Sequence, residues 1–425
     1  MYRIVGIILL VVFCLAESSF AQVSNSPLTQ QGVGDLYTGY QANSYGMGGI
    51  GISNGDVRYI NSQNPALLVY NSIYTYGAGV IGESRTTADG TGSQKAGSMN
   101  LSHLGMSFPI KASRWVSSVI LSPYSNVDYQ FIDNGTLNAG TANEATFETR
   151  QRGSQGLAQL EWAHGIRIKK DLSVGIKAKY LFGSIKRESS NVLTSSGINT
   201  LIVPTVLDRD AVSDFLFGIG AQYRYEVKKG TYLNFGLIYD FQSDVNTKRL
   251  KTLETRNTGD IVTASDTLIN DVKKTMTLPS TIGFGVSIGK PLKWLAGLDV
   301  RMQQWGNFKN YDGSDEGLQN SMSVAIGGEY TPDAGSISSI FKRMTYRLGA
   351  SYEKMPYVLN NSGVNDLGIN FGSSIPVGGI SSLDMGFRFG KRGSISSNQL
   401  DESYFRLQLG LTFNDRLWFI KRKFD

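Results

Sequence analysis

The chain has one cysteine, Cys14, and two histidines, His103 and His164, in 425 residues. Cys14 lies within the apolar stretch 4–16 that follows Arg3, and Ser19 and Ala21 place small residues at the −3 and −1 positions of a cleavage site. That layout is a secretory leader over residues 1–21, cleaved between Ala21 and Gln22. Bulky Phe13 before Cys14 argues against lipoprotein processing. A mature chain without a thiol has no disulfide, no cysteine metal site and no thiol nucleophile. Two histidines alone are a poor zinc set. A serine hydrolase needs a base oriented beside its nucleophile, and neither histidine shows a recognisable partner. The reading is therefore not an enzyme, with no catalytic residue, metal or cofactor.

Long apolar runs are missing too. After residue 21 nothing approaches the ~20 residues a spanning helix needs. Proline is scarce at 10, whereas glycine (49), tyrosine (21) and phenylalanine (20) are abundant, which points to an all-β chain with many turns. The net charge of +6 survives leader removal, because Arg3 and Glu17 cancel. The charges are scattered and the chain is exported, so no nucleic acid partner is expected.

What is present is strict alternation, repeated many times. Phe405, Leu407, Leu409, Leu411 and Phe413 alternate with Tyr404, Arg406, Gln408, Gly410 and Thr412. Leu383, Met385, Phe387 and Phe389 behave likewise, as do Leu233, Phe235, Leu237, Tyr239 and Phe241. Side chains of a strand alternate between faces, so each segment has one greasy and one polar face. A soluble sandwich also alternates, but here the polar faces carry mid-strand charges, and short and long connections alternate. Short ones fall at 169–171, 228–230, 290–293 and 377–379; long ones at about 83–94, 133–144, 188–210, 246–274, 309–317, 356–365 and 391–401. Bacterial barrels sort their connections in this way. The pattern predicts an antiparallel transmembrane β-barrel of about 14 strands over 72–414, in a Gram-negative outer membrane with lipid as its surroundings. Both termini are expected on the periplasmic side, with a basic, aromatic tail over 415–425.

Residues 22–71 do not fit the strand rhythm. They contain Gly46-Met47-Gly48-Gly49-Ile50-Gly51 and Asn64-Pro65-Ala66-Leu67. A phosphate loop would need a Lys-Ser/Thr pair and a preceding strand, and neither is there. A folded segment filling the barrel fits better. Leader, glycine-rich stretch, Asn-Pro-Ala motif and about fourteen strands together resemble the FadL-like outer-membrane channels for long-chain fatty acids and other hydrophobic compounds. The resemblance implies that 22–71 is a hatch plugging the barrel, with its motif at Asn64, Pro65 and Ala66. The C-terminus, Asn414 to Asp425, resembles that of Bacteroidota members, some of which are PorV-like shuttle or accessory subunits of secretion and assembly complexes.

Several residues stand out. Pro123 interrupts the third strand, where a proline marks an edge or bulge; the resemblance implies a lateral opening there. Lys177, Arg224, Asp240, Asp299, Arg301, Arg347, Asp384, Arg388 and Arg406 should project inward as a salt-bridged network around the hatch, which is unlike a greasy tunnel. His103 is expected on the inner face with Leu101 and Gly105, and His164 on the lipid face near a turn. Trp115, Trp162, Trp294, Trp305 and Trp418 read as girdle anchors. Lys421, Arg422 and Lys423 are either a solvated tail or a contact for acidic partners. Two functions follow: passive uptake of a hydrophobic ligand such as a fatty acid, or service as a subunit holding other outer-membrane or periplasmic proteins.

Overall fold

The computed structural model describes residues 26–415 apart from 38, 138–139, 141–144, 196–197, 200–201 and 258. The leader, its cleavage site and the tail beyond residue 415 lie outside the described residues. Fourteen antiparallel strands form one closed wall. They are β1 (Tyr74–Ala88), β2 (Ser93–Lys111), β3 (Trp115–Asn126, continuing as Tyr129–Leu137), β4 (Ala145–Lys169), β5 (Leu172–Ser195), β6 (Val203–Lys228) and β7 (Thr231–Asp240, continuing as Ser243–Arg256). There follow β8 (Val262–Leu278, continuing as Thr281–Lys290), β9 (Trp294–Gln303), β10 (Ser321–Tyr330), β11 (Thr345–Leu359), β12 (Ser362–Gly378), β13 (Ser381–Ser394) and β14 (Leu400–Asp415). The wall closes where β14 meets β1, in unbroken register from Asp401↔Ala88 to Asp415↔Tyr74. No helix among the described residues is long and apolar enough to cross a membrane.

The alternation sorts side chains as expected. Ile176, Phe217, Leu237, Phe284, Ile326 and Phe389 point outward and are exposed, while Lys177, Asp299, Asp384 and Arg388 on the other face are buried. An apolar outside with a polar inside is the reverse of a soluble core. It is the arrangement a barrel in lipid requires. Aromatic neighbours pack across strands on the outer face, as Phe389 does against Phe405 with ring centres 5.0 Å apart and the rings tilted.

The long connections differ from expectation. Strands run through most of them: β4 has 25 residues and β6 has 26, against the ~9–11 that cross hydrocarbon. Glu83, Glu188 and Lys391 all lie on strands rather than in loops. Apolar alternation stops where the wall leaves lipid and both faces meet water, but backbone pairing continues, so sequence rhythm ends before the strand does. The wall therefore has a turn end and a taller crown end. The longest connection at the turn end is 331–344, which includes the helix Ile340–Arg343.

Two further placements are corrected. A register shift opposite Gly79 and Val80 makes Ser102 an extra residue, so His103 faces inward while Leu101 faces out at 44% exposure. Trp305 is no girdle residue. It is buried beside Phe308, ring centres 5.8 Å apart, in an apolar cluster inside the crown. Trp115 and Trp162 do face outward, around His164; Trp418 lies outside the described residues.

A charge on the lipid face tests the assignment of faces. Leu237→Arg should lower the stability of the bilayer-embedded protein by about 2–4 kcal/mol in denaturant titration. Leu268→Arg, high in the crown, should change it by less than about 0.5 kcal/mol.

Candidate functional site: the occupied lumen

Residues 26–71 lie within the ring of strands and touch its inner face on many sides. Their fit depends on glycine. Asn64 caps the short 3-10 helix Pro65–Tyr70, its Oδ1 accepting from the Ala66 N–H at 3.0 Å, while its Nδ2 donates to the carbonyls of Ile52 (2.8 Å) and Ala221 (3.1 Å). This turn sits against Gly175 of β5 and Gly220 of β6, where an added Cβ would lie 2.4 Å from the Pro65 carbonyl carbon and 2.2 Å from Asn64 Oδ1. Asn64, Pro65 and Ala66 thus come together as one buried corner. On the opposite side the glycine-rich stretch runs beside Gly327 and Gly349, whose Cβ positions fall 2.4 and 2.2 Å from Met47 backbone atoms. Without side chains between them, two backbones approach more closely than any other residue allows.

The inward charges hold this segment. Asp299 accepts the N–H groups of Gly51 and Ile52, both at 2.8 Å. Arg301 donates to Gln63 Oε1 at 3.0 Å, and Lys177 donates to the Gln63 carbonyl at 3.3 Å while pairing with Asp240 at 2.9 Å. Asp384 accepts from the Tyr59 hydroxyl at 2.8 Å, and Arg347, paired with Glu329 at 3.0 Å, also bonds Ser374. Arg388 pairs with Asp366 at 2.6 Å. Arg406 pairs with Glu83 and approaches Asp35 at 3.4 Å. Arg224 departs from the predicted network. Among the described residues it has no ion pair, and instead lies 3.7 Å from the ring centre of Tyr232 and 5.2 Å from that of Tyr70. Its place near the turn end leaves it on aromatic faces rather than among carboxylates.

Sequence reading missed the densest cluster. Asp35 of the segment lies 2.9 Å from Arg392 and 3.6 Å from Arg85. Arg85 also pairs with Glu83 at 2.6 Å and Glu402 at 2.7 Å, and Arg392 with Asp366 at 2.5 Å. Burial alone would raise the Asp35 carboxyl, but Arg392, Arg406 and Arg85 hold it below its ordinary value. Its contribution to docking is therefore present at neutral pH and is lost only as pH falls through that depressed value. Glu83, Arg85 and Arg392 fall in stretches that the sequence presents as loops, and Asp366 and Glu402 lie one residue past the ends of two of them. Continued alternation of charge in 83–85 was the available signal.

Above these charges, the crown is closed by apolar packing. Leu28 and Val33 of the segment join Trp305, Phe308 and Leu318 of the β9–β10 connection and Leu181, Ile185, Met276 and Val364 of the wall. A lumen cavity of about 180 Å³ includes Tyr40, Glu161, Lys177, Lys179, Arg301 and Glu353 in its lining. Sites for drug-sized ligands run ~300–1,000 Å³ and are mostly apolar.

The wall is irregular at Pro123. The β2–β3 ladder ends at Leu104↔Leu121, and above it β2 and β3 are not paired. Tyr124 is an extra residue opposite β4, between Pro123↔Ala158 and Ser125↔Leu157. The freed edge of β3 is taken by Asp35↔Asn126 and Leu36↔Ser125, and the Tyr37 hydroxyl accepts from Asn100 of β2 at 3.0 Å. The N-terminal segment thus bridges the break.

His103 Nδ1 lies 3.2 Å from Ser102 Oγ with no carboxylate bonded to it, and His164 Nδ1 accepts from Trp115 Nε1 at 3.3 Å. No cluster that suits a metal occurs among the described residues.

The closed fourteen-stranded barrel is the fold of FadL- and TodX-type outer-membrane proteins. The BamG family model matches residues 1–425, and the chain belongs to that family. Solved structures share the fold at low identity. The Pseudomonas putida toluene transporter TodX is 16% identical, with a TM-score of 0.56 over 90% of this chain and 99% of that one. The Ralstonia pickettii toluene transporter TbuX is 12% identical, TM-score 0.55, over 89% and 99%. A Pseudomonas aeruginosa FadL homologue is 12% identical, TM-score 0.56, over 88% and 98%. No curated protein matches the chain.

Gly220→Val should push the Asn64 corner off β6, and Asp35→Ala should leave Arg85, Arg392 and Arg406 short of a carboxylate. Both should make residues 26–71 cleavable by protease in the folded barrel, where the unaltered chain resists. Breaking a buried pair costs about 3–5 kcal/mol.

Proposed function

We propose that this chain is a sealed barrel acting as a non-transporting subunit of an outer-membrane secretion or assembly complex, with residues 22–71 as a fixed plug. The carrying observation is the occupied lumen: a bonded segment, a charged cavity of about 180 Å³ and an apolar stopper at the crown. A hydrophobic compound moving through this cavity would meet charged side chains such as Glu161 and Lys177 in its lining. In this reading the barrel supplies a rigid, lipid-embedded body, and the crown and turn end supply surfaces for partners. Periplasmic placement of the turn end fits the short connections there.

A second reading is favoured by the break between β2 and β3. There, a fatty acid or other hydrophobic compound would leave sideways at Pro123 once Asp35–Leu36 unzips from β3. The toluene transporters that share the fold agree with it.

The readings separate on purification. Extraction from the outer membrane in mild detergent should yield a stoichiometric protein partner and no co-purifying fatty acid by mass spectrometry. Bound fatty acid without a partner would favour transport, and in that case Pro123→Ala should reduce uptake.

A further inference from the structure

The hairpins at the turn end share a device that the filling of the lumen does not explain. In four of them the last pair of the ladder carries a lysine: Lys111↔Trp115, Lys169↔Leu172, Lys228↔Thr231 and Lys290↔Trp294. Residues opposite each other in an antiparallel ladder share a face, and Trp115 and Trp294 are exposed on the outer one. Lys290 reaches that face by plain alternation from Ile288. The other three reach it through a register shift, in which Ile110, Ile168 and Val227 are extra residues. Without the extra residue each of these lysines would face the lumen. A bulge re-aims a side chain. Here it sets an exposed apolar residue and an exposed lysine side by side on the outside of the wall, in three separate hairpins.

These lysines belong to a wider run of positive charge. Arg114, Lys170, Lys229 and Lys293 in the same turns are exposed too, and Lys342 is exposed in the next connection. Among the described residues none of these side chains forms a salt bridge, and only Asp171, Glu226 and Asp333 stand near them in sequence. Crown cations differ: Arg85, Arg256 and Arg392 each pair with at least two carboxylates. The scatter of charge expected from the sequence therefore does not hold at the turn end. The basic connections are consecutive, from β2–β3 round to β10–β11, and so follow ten of the fourteen strands. The 331–344 connection adds apolar surface on the same side. Ile337 is 98% and Phe341 69% exposed, and the Tyr346 hydroxyl donates to the Phe341 carbonyl at 3.1 Å. Tyr346 faces outward opposite Tyr330, so this bond ties the connection to the lipid side of the rim.

We infer that the turn end carries a lipid-phosphate collar, in which the outward lysines ending β2, β4, β6 and β8 bind headgroup phosphates of the leaflet around the barrel. Positive charge spread along ten consecutive strands is complementary to a plane of anions that surrounds the wall, whereas one protein partner would meet a few neighbouring turns. A lysine lays its methylene stem along apolar surface and keeps its ammonium in the polar layer. That suits a rim where Ile110, Ile168 and Val227 are the last apolar residues of their strands, level with the outward rings of Trp115, Trp294, Tyr330 and Tyr346. With the turn end periplasmic, the leaflet is the inner one. The collar is independent of the subunit reading and leaves the mouth of the barrel and the crown to protein partners.

The test is lipid retention by the full-length protein, released from nanodiscs of equal phosphatidylglycerol and phosphatidylcholine and weighed by native mass spectrometry. The unaltered protein should retain phosphatidylglycerol over phosphatidylcholine by about tenfold at low salt. Changing Lys111→Gln, Lys169→Gln, Lys228→Gln and Lys290→Gln together should bring that ratio near one while the heat-modifiable gel mobility of a folded barrel is kept. Changing Lys95→Gln, Arg209→Gln, Lys248→Gln and Lys273→Gln, four exposed crown cations, should leave the preference intact. If the first variant does not fold, the unaltered barrel in about 1 M salt reads the same contact, because screening there acts within ~3 Å and should abolish the preference. Equal retention of the two lipids by the unaltered protein overturns the collar. An equal loss in the crown variant overturns its placement at the turn end. An acidic periplasmic protein that binds the unaltered barrel and not the turn-end variant, with the lipid ratio unchanged, overturns the assignment to lipid.

Discussion

Inside hydrocarbon no water can satisfy a backbone N–H or C=O, so every strand that crosses must be paired on both sides. The ladder joining β14 to β1 meets that demand by turning a fourteen-stranded sheet into a ring. Once the ring is closed, the two-residue rhythm has fixed consequences: alternate side chains meet lipid or the interior, and the polar set must find its partners within the ring. The break in pairing above Leu104 and Leu121 respects the same constraint, because Asp35–Leu36 enters as a substitute strand.

The interior is settled by two further choices. Inward glycines on β5, β6, β10 and β11 bring the wall's backbone up to that of the plug, and carboxylates and guanidiniums fill the remaining polar demand. Asp299 accepting two consecutive amides of the segment shows the division of labour: glycine makes the approach possible, and a buried charge fixes the register. Many bonds between wall and segment hold such a lumen together.

Much of this architecture was legible in the sequence. Alternating grease such as Phe405 to Phe413 specifies both strand and face, and the inward positions of Lys177, Asp299, Asp384 and Arg388 followed directly from it. The Asn64-Pro65-Ala66 corner was visible as a turn-forming motif inside a segment without strand rhythm. What the sequence hid lies beyond the lipid. There, strands with water on both faces lose their apolar alternation, so Glu83, Arg85 and Arg392 looked like loop residues. Trp305 was misplaced for a related reason: proximity to a strand end does not reveal whether a connection folds over the mouth or lies against lipid. Leu101 was misplaced because a single extra residue, Ser102, reverses every face that follows.

The family and the fold are fixed by the BamG model over the whole chain and by the shared architecture of TodX-type barrels. The functional account turns on whether the ring is shut. Planar-bilayer recording on the intact, detergent-purified protein tests this most directly. A barrel filled as described should insert and give no discrete conductance steps, while a variant lacking residues 22–71 should conduct. Open-channel steps from the intact chain as large as those of the truncated one would contradict the account.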